Sequence, residues 1–357
     1  MDYGATDYIR DHDSDGGATG FFWCVGGLRN DWSWRAHLVE PARRGDTSIR
    51  IDDLDDLVVG STIDLTTDWY PGFKGVDDSN KNTTAIDRAE RAQTFVITAI
   101  DAASKTLTLD QPLRYSIATV EHSEIQHEHP IWRFGISDIA FLQTTDHWQS
   151  FIDATDGINH LLLEDLIIDD IGRSALWLPS IKHGTVRRVR CREVRWPSTG
   201  GASGYVGGGA CNDLLYDQVS ITNHRHAPNF HGGNNIVVRN SWFDMCDGQL
   251  HAGLSRDLLY ENVRINADRS ASGYAWTTMD WQNALNGGGN GDHVVFVDCD
   301  LQGKDGGLYF GGRQEAAIIA YNRITADDGS PVVVRGGSSD HLFYRNTLIV
   351  EDRFLPA

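Results

Sequence analysis

Two stretches 22 residues apart decide the fold: Asn235-Ile-Val-Val-Arg-Asn240 and Asp257-Leu-Leu-Tyr-Glu-Asn262. Each opens on a polar residue, runs through three apolar ones and reaches Asn at its sixth position. The pattern continues in both directions. Asp138-Ile-Ala-Phe141, His160-Leu-Leu-Leu163, His183-Gly-Thr-Val186 and Asp213-Leu-Leu-Tyr216 precede it. His293-Val-Val-Phe296, Ala317-Ile-Ile-Ala320 and His341-Leu-Phe-Tyr344 follow. Successive starts lie 22, 23, 30, 22, 22, 36, 24 and 24 residues apart, so six of eight intervals fall between 22 and 24. A fixed period of this size marks a solenoid, in which each unit buries its apolar faces only by stacking on its neighbours.

The residue five places after each start supplies a second phase. Those positions read Gln143, Asp165, Arg188, Gln218, Asn240, Asn262, Asp298, Asn322 and Asn346. All are polar, and Asn tolerates the left-handed conformation of a one-residue bend between strands. Gln218, Asn240, Asn262, Asn322 and Asn346 are therefore expected to stack as a ladder. Continuous apolar runs suit parallel strands better than a one-sided antiparallel sheet. The fold class read from this pattern is all-β, a right-handed parallel β-helix of about nine coils over 118–357.

Earlier residues read differently. Gly45-Asp-Thr-Ser-Ile-Arg-Ile51, Val59-Gly-Ser-Thr-Ile-Asp-Leu65, Thr94-Phe-Val-Ile-Thr-Ala-Ile100 and Lys105-Thr-Leu-Thr-Leu109 alternate β-branched residues around Gly and Asp turns. That predicts a small antiparallel β-barrel insertion near the N-terminus, spanning 43–117. Residues 1–42 read as an irregular segment or an abbreviated first coil.

Composition narrows the function. The 357 residues carry a net charge of −19, with 50 acidic against 31 basic side chains, which argues against a nucleic-acid partner. No apolar run approaches the ~18 residues of a membrane span. The first residues lack a basic stretch followed by an apolar one, so no signal peptide is read there, although a secreted or periplasmic protein is expected in the source. The five cysteines, Cys24, Cys191, Cys211, Cys246 and Cys299, are widely spaced and fit buried thiols rather than a disulfide framework.

The two long intervals place the expected site. Both extra segments are read in the turn after a coil's second strand, as loops 196–206 and 270–290 rising on one side. The first carries Trp196 and Tyr205; the second carries Trp276, Asp280 and Trp281. Between them lie two ordinary coils whose turns hold Asn223-His-Arg-His-Ala-Pro-Asn-Phe-His231 and Asp244-Met-Cys-Asp-Gly-Gln-Leu-His251. Four of the protein's 14 His thus fall within 28 residues. Arg225, His226, Asp244, Asp247 and His251 are the catalytic candidates. His224, His231, Trp196, Tyr205, Trp276, Asp280, Trp281 and Arg313 are the candidates for holding substrate. Trp242 and Phe243 lie within a strand and read as core, whereas Trp276 and Trp281 have no coil strand to occupy and read as flat platforms for sugar rings.

With this repeat and polar ladder, residues 119–357 resemble the pectate-lyase-like superfamily of parallel β-helices. That superfamily includes polysaccharide lyases, glycoside hydrolases, uronan epimerases, fructotransferases and phage tailspikes. The resemblance is specific for fold and transfers no catalytic residue. It implies a polysaccharide or oligosaccharide partner held in a groove along the solenoid, by a monomer or a homotrimer. Elimination on a uronate needs a cation to neutralise the carboxylate, a base for the C5 proton and an acid for the leaving oxygen. Arg225 suits the first role, and His226 and His251 the other two. Hydrolysis or transglycosylation needs paired carboxylates instead, which Asp244 with Asp247, or Asp247 with Asp280, would supply. A tailspike-like glycan binder without catalysis is the third reading. No cofactor is required and no metal site is assigned. Ca2+ is compatible with this chemistry, and His224, His226 and His251 are zinc-type ligands whose convergence the sequence does not establish.

Overall fold

The computed structural model describes residues 20–23, 36–54, 57–67, 91–117, 123–128, 130–144, 149–154, 157–178, 180–195, 205–209, 211–250, 254–267, 274–278, 290–310, 314–334 and 339–351. Two sheets of parallel strands run the length of the molecule. The main sheet stacks strands from Ile131–Leu142 through Asn234–Asp244 and Leu254–Ala267 to Leu342–Tyr344. The second sheet starts at Gly20–Trp23 and passes through His226–His231, Asp247–Leu250 and Tyr274–Thr278 to Val332–Val334. The chain is thus a parallel β-helix, as expected. Gly20–Trp23 pairs in parallel with Ser150–Asp153, so the N-terminal segment contributes an abbreviated first rung.

Two rows of bends shape every coil. His160, His183, Asp213, Asn235, Asp257 and His293 all have φ between 53° and 67°, and pairing aligns them rung on rung. Five residues on, Asp165, Arg188, Gln218, Asn240, Asn262 and Asp298 form a second left-handed row, with φ between 51° and 57°. Polar side chains fit there because they bond their neighbours above and below. Asn262 Nδ2 donates to Asn240 Oδ1 at 3.0 Å, Asn240 Nδ2 to Asp217 Oδ1 at 3.0 Å, and Arg188 Nε to Asp165 Oδ1 at 2.7 Å.

The phase read from sequence slips at both ends. Ser137 pairs with Glu164, which puts Asp138 opposite Asp165, in the second row; Arg133, with φ of 59°, is the true start. Val295 pairs with Ile318 and Ile318 with Leu342, so the last two coils start at Ala316 and Asp340 and bend at Tyr321 and Arg345. Asn322 and Asn346 therefore leave the outer ladder. Asn322 points inward at the level of Cys299, donating to Asn346 Oδ1 at 3.0 Å and accepting from the Cys299 backbone N–H at 2.8 Å. Short apolar runs such as Ala317-Ile-Ile leave the start ambiguous by one residue, and Ala316, left-handed at φ 50°, carries no polar side chain to mark the bend.

Alternation buries one side of each strand in a continuous core that includes Leu163, Val186, Tyr216, Val238, Tyr260, Phe296 and Ile319. It also splits the pair read as core: Phe243 is buried, but Trp242 is half exposed and stacks under the Arg264 guanidinium, 5.2 Å from the ring centre. Cys191, Cys211, Cys246 and Cys299 are free and buried.

The antiparallel unit is a five-stranded sheet in the order Ser48–Arg50, Thr106–Leu109, Arg91–Asp101, Thr62–Thr67 and Ser123–Glu128. Bridges from Ala36 to Ile125, Leu38 to Ile51 and Ala42 to Ile117 join its edges, so the unit draws in residues on both sides of 43–117. It has its own core around Ile63, Phe95 and Leu107. It docks on the main sheet through polar contacts. Lys182 Nζ, buried, meets Asp110 at 2.7 Å, and Asn212 Nδ2 donates to Thr94 Oγ1 at 3.1 Å. Tyr115 donates to Asn234 Oδ1 at 2.5 Å, and Arg114 reaches both Asp257 at 3.1 Å and Asp213 at 3.4 Å.

Both long intervals were expected to interrupt one turn. The first does: residues 196–204 join the main-sheet strand Ile181–Val194 to Tyr205–Gly209 of the second sheet. The second does so only in part, through residues 268–273 between Leu254–Ala267 and Tyr274–Thr278. Tyr274–Thr278 is itself a strand of the second sheet, and eleven residues, 279–289, lie beyond it, in the return to Asn290–Val297. The longer part of that insertion lies in the opposite connection; residues 196–204, 268–273 and 279–289, and with them the expected pair of walls, lie outside the described residues.

Candidate functional site

The second sheet carries the densest polar chemistry. In Asp247–Leu250, Gly248 and Leu250 face the core, which turns Asp247 and Gln249 to the other side. Pairing extends that outer row across the rungs: Asp153 opposite Trp177, Trp177 opposite Gly207, Gly207 opposite Asn229, Asn229 opposite Gln249, Gln249 opposite Thr277 and Thr277 opposite Tyr309. Six rung steps at ~4.8 Å give a row roughly 29 Å long. Gly207, at φ 136°, is required within it, because a Cβ there would collide with the Asn229 carbonyl oxygen.

At the centre His226 lies opposite Asp247. His226 Nδ1 is 3.0 Å from Asp247 Oδ2, and Gln249 Nε2 donates to the same oxygen at 3.2 Å. Asp247 is a carboxylate acceptor, so this contact places the imidazole proton on Nδ1 and the lone pair on Nε2. The group is enclosed: His226 is 2% exposed, Gln249 1%, and Asn229 and Asp247 0%. Asp247 Oδ1, Gln249 Oε1 and both carboxamide atoms of Asn229 make no hydrogen bond. Further along, Arg173 Nη1 meets Asp153 at 3.0 Å, both nearly buried, and the guanidinium lies 5.9 Å from the Trp177 ring centre.

The structure thus brings His226 and Asp247 together, with Arg225 half-buried in the turn just before them. It separates Asp244. That residue ends a main-sheet strand, accepts from Asn266 Nδ2 at 2.9 Å, and is divided from Asp247 by the left-handed bend at Met245. Asp244 and Asp247 therefore belong to different sheets rather than to one carboxylate pair. Tyr205 and His231 lie on second-sheet strands, Tyr205 opposite His226 and His231 opposite Gly209. Trp196, His251, Asp280, Trp281 and Arg313 lie outside the described residues.

Two expected substrate contacts are core residues. Trp276 is fully buried against Tyr260, Phe296 and Phe310. It occupies a coil strand after all, inside the segment read as a loop. His224 is buried as well, its Nδ1 bonded to the Thr222 carbonyl at 2.9 Å and its backbone N–H to Cys246 Sγ at 3.4 Å. Burial pushes its pKa from 6.5 down to about 4. Between those values the unfolded chain takes up a proton that the folded one refuses. Stability is therefore full above about pH 6.5 and falls as the pH drops toward 4, by about 3 kcal/mol in all. Thermal melting across this range should show that loss, and His224→Gln should reduce it.

Sequence reasoning missed Asn229, Gln249 and Thr277. Asn229 and His251 each lie 16 residues after their coil starts, Asp213 and Asn235, so an even count sets them level. A register shift between His226 and Asn229 sets Asn229 opposite Gln249 instead. Position-by-position comparison of adjacent coils would have found the amide pair only if that shift were known.

Neither a protein-family model nor a curated protein sequence matches the chain. Solved structures with a similar fold include three phage tailspikes. The tailspike protein gp49 from Pseudomonas phage LKA1 is 13% identical with a TM-score of 0.50, over 94% of this chain and 62% of that one. The Pseudomonas phage phi297 tailspike gp61 is 9% identical with a TM-score of 0.48, over 89% and 57%. The Gp54 tailspike of Acinetobacter baumannii bacteriophage AP22, solved in complex with A. baumannii capsular saccharide, is 10% identical with a TM-score of 0.46, over 88% and 56%. The chain spans about three-fifths of the length of these tailspikes, and at such identities the likeness is one of fold.

Proposed function

We propose that the protein binds and cleaves a polysaccharide laid along the outer row of the second sheet. The observation that carries this reading is the His226–Asp247 pair, a carboxylate-oriented imidazole at the centre of a polar row 29 Å or so in length. Among the described residues of that row the other carboxylate is Asp153. It lies four rungs from Asp247, about 19 Å, whereas glycosidase carboxylates stand roughly 5–9.5 Å apart. Asp153 is also tied to Arg173. A single oriented base therefore favours β-elimination. His226 Nε2 takes the C5 proton of a uronate whose carboxylate Arg225 neutralises; the C4–O bond breaks as the C4=C5 double bond forms, and the imidazolium returns its proton to the leaving oxygen. Asp247 holds the ring and stabilises its charged form.

The burial of the dyad supports a second reading, in which it braces the sheet and the face binds glycan without cleaving it. Incubation with a panel of polysaccharides, followed by mass spectrometry, separates the outcomes. Elimination gives fragments one water lighter than hydrolysis would, with absorbance from the new conjugated double bond. Bound but uncut polymer supports the second reading, and hydrolytic fragments overturn the assignment of His226 as a lone base.

A further inference from the structure

We propose that the cavity between the antiparallel unit and the main sheet takes up a monovalent alkali cation, which fastens the two together. Asn159, Lys182, Asn212 and Asn234 stand opposite one another on successive rungs, in the row of the main sheet that meets the antiparallel unit. Lys182, Asn212 and Asn234 each bond a side chain of that unit. Asn159 is as deeply buried, at 1% exposure, yet neither its Oδ1 nor its Nδ2 makes a hydrogen bond. It borders a cavity of about 10 Å³, lined also by Thr62, Asp64, Thr94, Ser180 and Lys182. Thr62 Oγ1 and Ser180 Oγ, both buried, are likewise unbonded. Native proteins rarely cluster such groups, and a space of this size admits one atom as large as a water oxygen.

The charges around the cavity decide between a neutral and an ionic occupant. Asp64 is 2% exposed and accepts from Thr94 Oγ1 at 2.6 Å. Lys182 spends its three N–H donors on the Thr94 carbonyl at 3.0 Å and on the two oxygens of Asp110 at 3.0 and 2.7 Å. Asp64 and Asp110 against Lys182 leave one negative charge in a buried interface, where an uncompensated carboxylate is costly. A single positive charge balances it. The oxygens of Asp64, Thr62, Ser180 and Asn159 are hard ligands, and one carboxylate among neutral oxygens suits a charge of one better than a charge of two. Among the described residues no three His, Cys, Asp or Glu side chains gather as a divalent site would need. A hydroxyl oxygen has two lone pairs, so Thr62 or Ser180 can bind the ion and still accept from Asn159 Nδ2. A bare sodium or potassium ion is no larger than a water molecule, and water would fill the space without supplying the charge.

Thermal melting of the full chain in sodium, potassium and N-methylglucamine chlorides at one ionic strength tests this, since the glucamine ion is too large for the cavity. Melting in sodium or potassium chloride should lie roughly 2–4 °C higher, and the gain should saturate with concentration, as binding at one site requires. Asp64→Asn keeps an acceptor for Thr94 and removes the charge, so the gap between salts should vanish. Thr62→Val keeps the shape and removes one ligand, so the half-saturating concentration should rise about fivefold. That variant carries the test should Asp64→Asn fail to fold. Equal melting of the parent chain in all three salts overturns the proposal and leaves water as the occupant. An alkali-specific gain that survives unchanged in both variants also overturns it, because the ion then sits elsewhere.

Discussion

His226→Gln should lower turnover of the cleaved glycan by about 10²–10⁴-fold with little change in melting, because a positioned proton-transfer group contributes about that much to rate. Glutamine is chosen because its amide still donates to Asp247 Oδ2 and roughly fills the space of the ring. The proton-accepting nitrogen is what disappears. Asp247→Asn should have a comparable effect by another route. An asparagine amide facing Nδ1 favours the opposite tautomer, which puts the proton on Nε2 where the lone pair is needed. The two losses should not add, since both remove the same oriented base. Steady-state rates on the panel substrate, beside melting curves of each variant, are the measurement. If both variants melt normally and keep near-full activity, the reacting groups lie elsewhere, and Asp280 and Arg313 are the next to replace.

Trp276→Ala should cost stability rather than affinity. The indole is fully buried, its Nε1 donates to Tyr260 Oη at 3.3 Å, and its ring centre is 5.1 Å from that of Phe296 and 5.7 Å from that of Phe310. Removing it leaves a cavity between rungs and an unmet hydroxyl partner, a loss of about 3–5 kcal/mol, or on the order of 10 °C in melting temperature. At a temperature where the variant stays folded, its KM for glycan should match that of the parent. A raised KM with an unchanged melting curve would restore Trp276 to the sugar face and contradict its packing.

The contrast between these residues shows what was legible in the sequence. The period, the left-handed bends and the parallel pairing could be read from Asn235–Asn240 and its copies, because each coil repeats the same steric demand on the backbone. The bend at Asn240 and its contact with Asn262 follow from that reading. Trp276 could not be placed, since nothing in Tyr274-Ala-Trp-Thr-Thr278 distinguishes a short inward strand from a loop when the flanking connections vary in length. His226 and Asp247 were each chosen from the His- and Asp-rich turns, but their contact depends on a register shift that no count of residues contains. The ends of the solenoid failed for a related reason: one residue more or less in a turn changes which side chain faces the core.

The barrel contacts give the solenoid a mechanical character that its repeats lack. Stacked coils interact only with their neighbours, so an unsupported solenoid can fray from an end one coil at a time. Here Asp110, Thr94, Tyr115 and Arg114 grip Lys182, Asn212, Asn234 and the Asp213–Asp257 pair, four successive rungs held from outside by one folded body. The barrel is a splint. Pulled from its C-terminus, the molecule should release coils 290–350 as single steps of roughly 80 Å of contour each. The splinted rungs should then yield together, in one longer extension at higher force. The outer row around His226 and Asp247 lies within that stiff block, so a glycan held there would meet a surface that does not bend along its length.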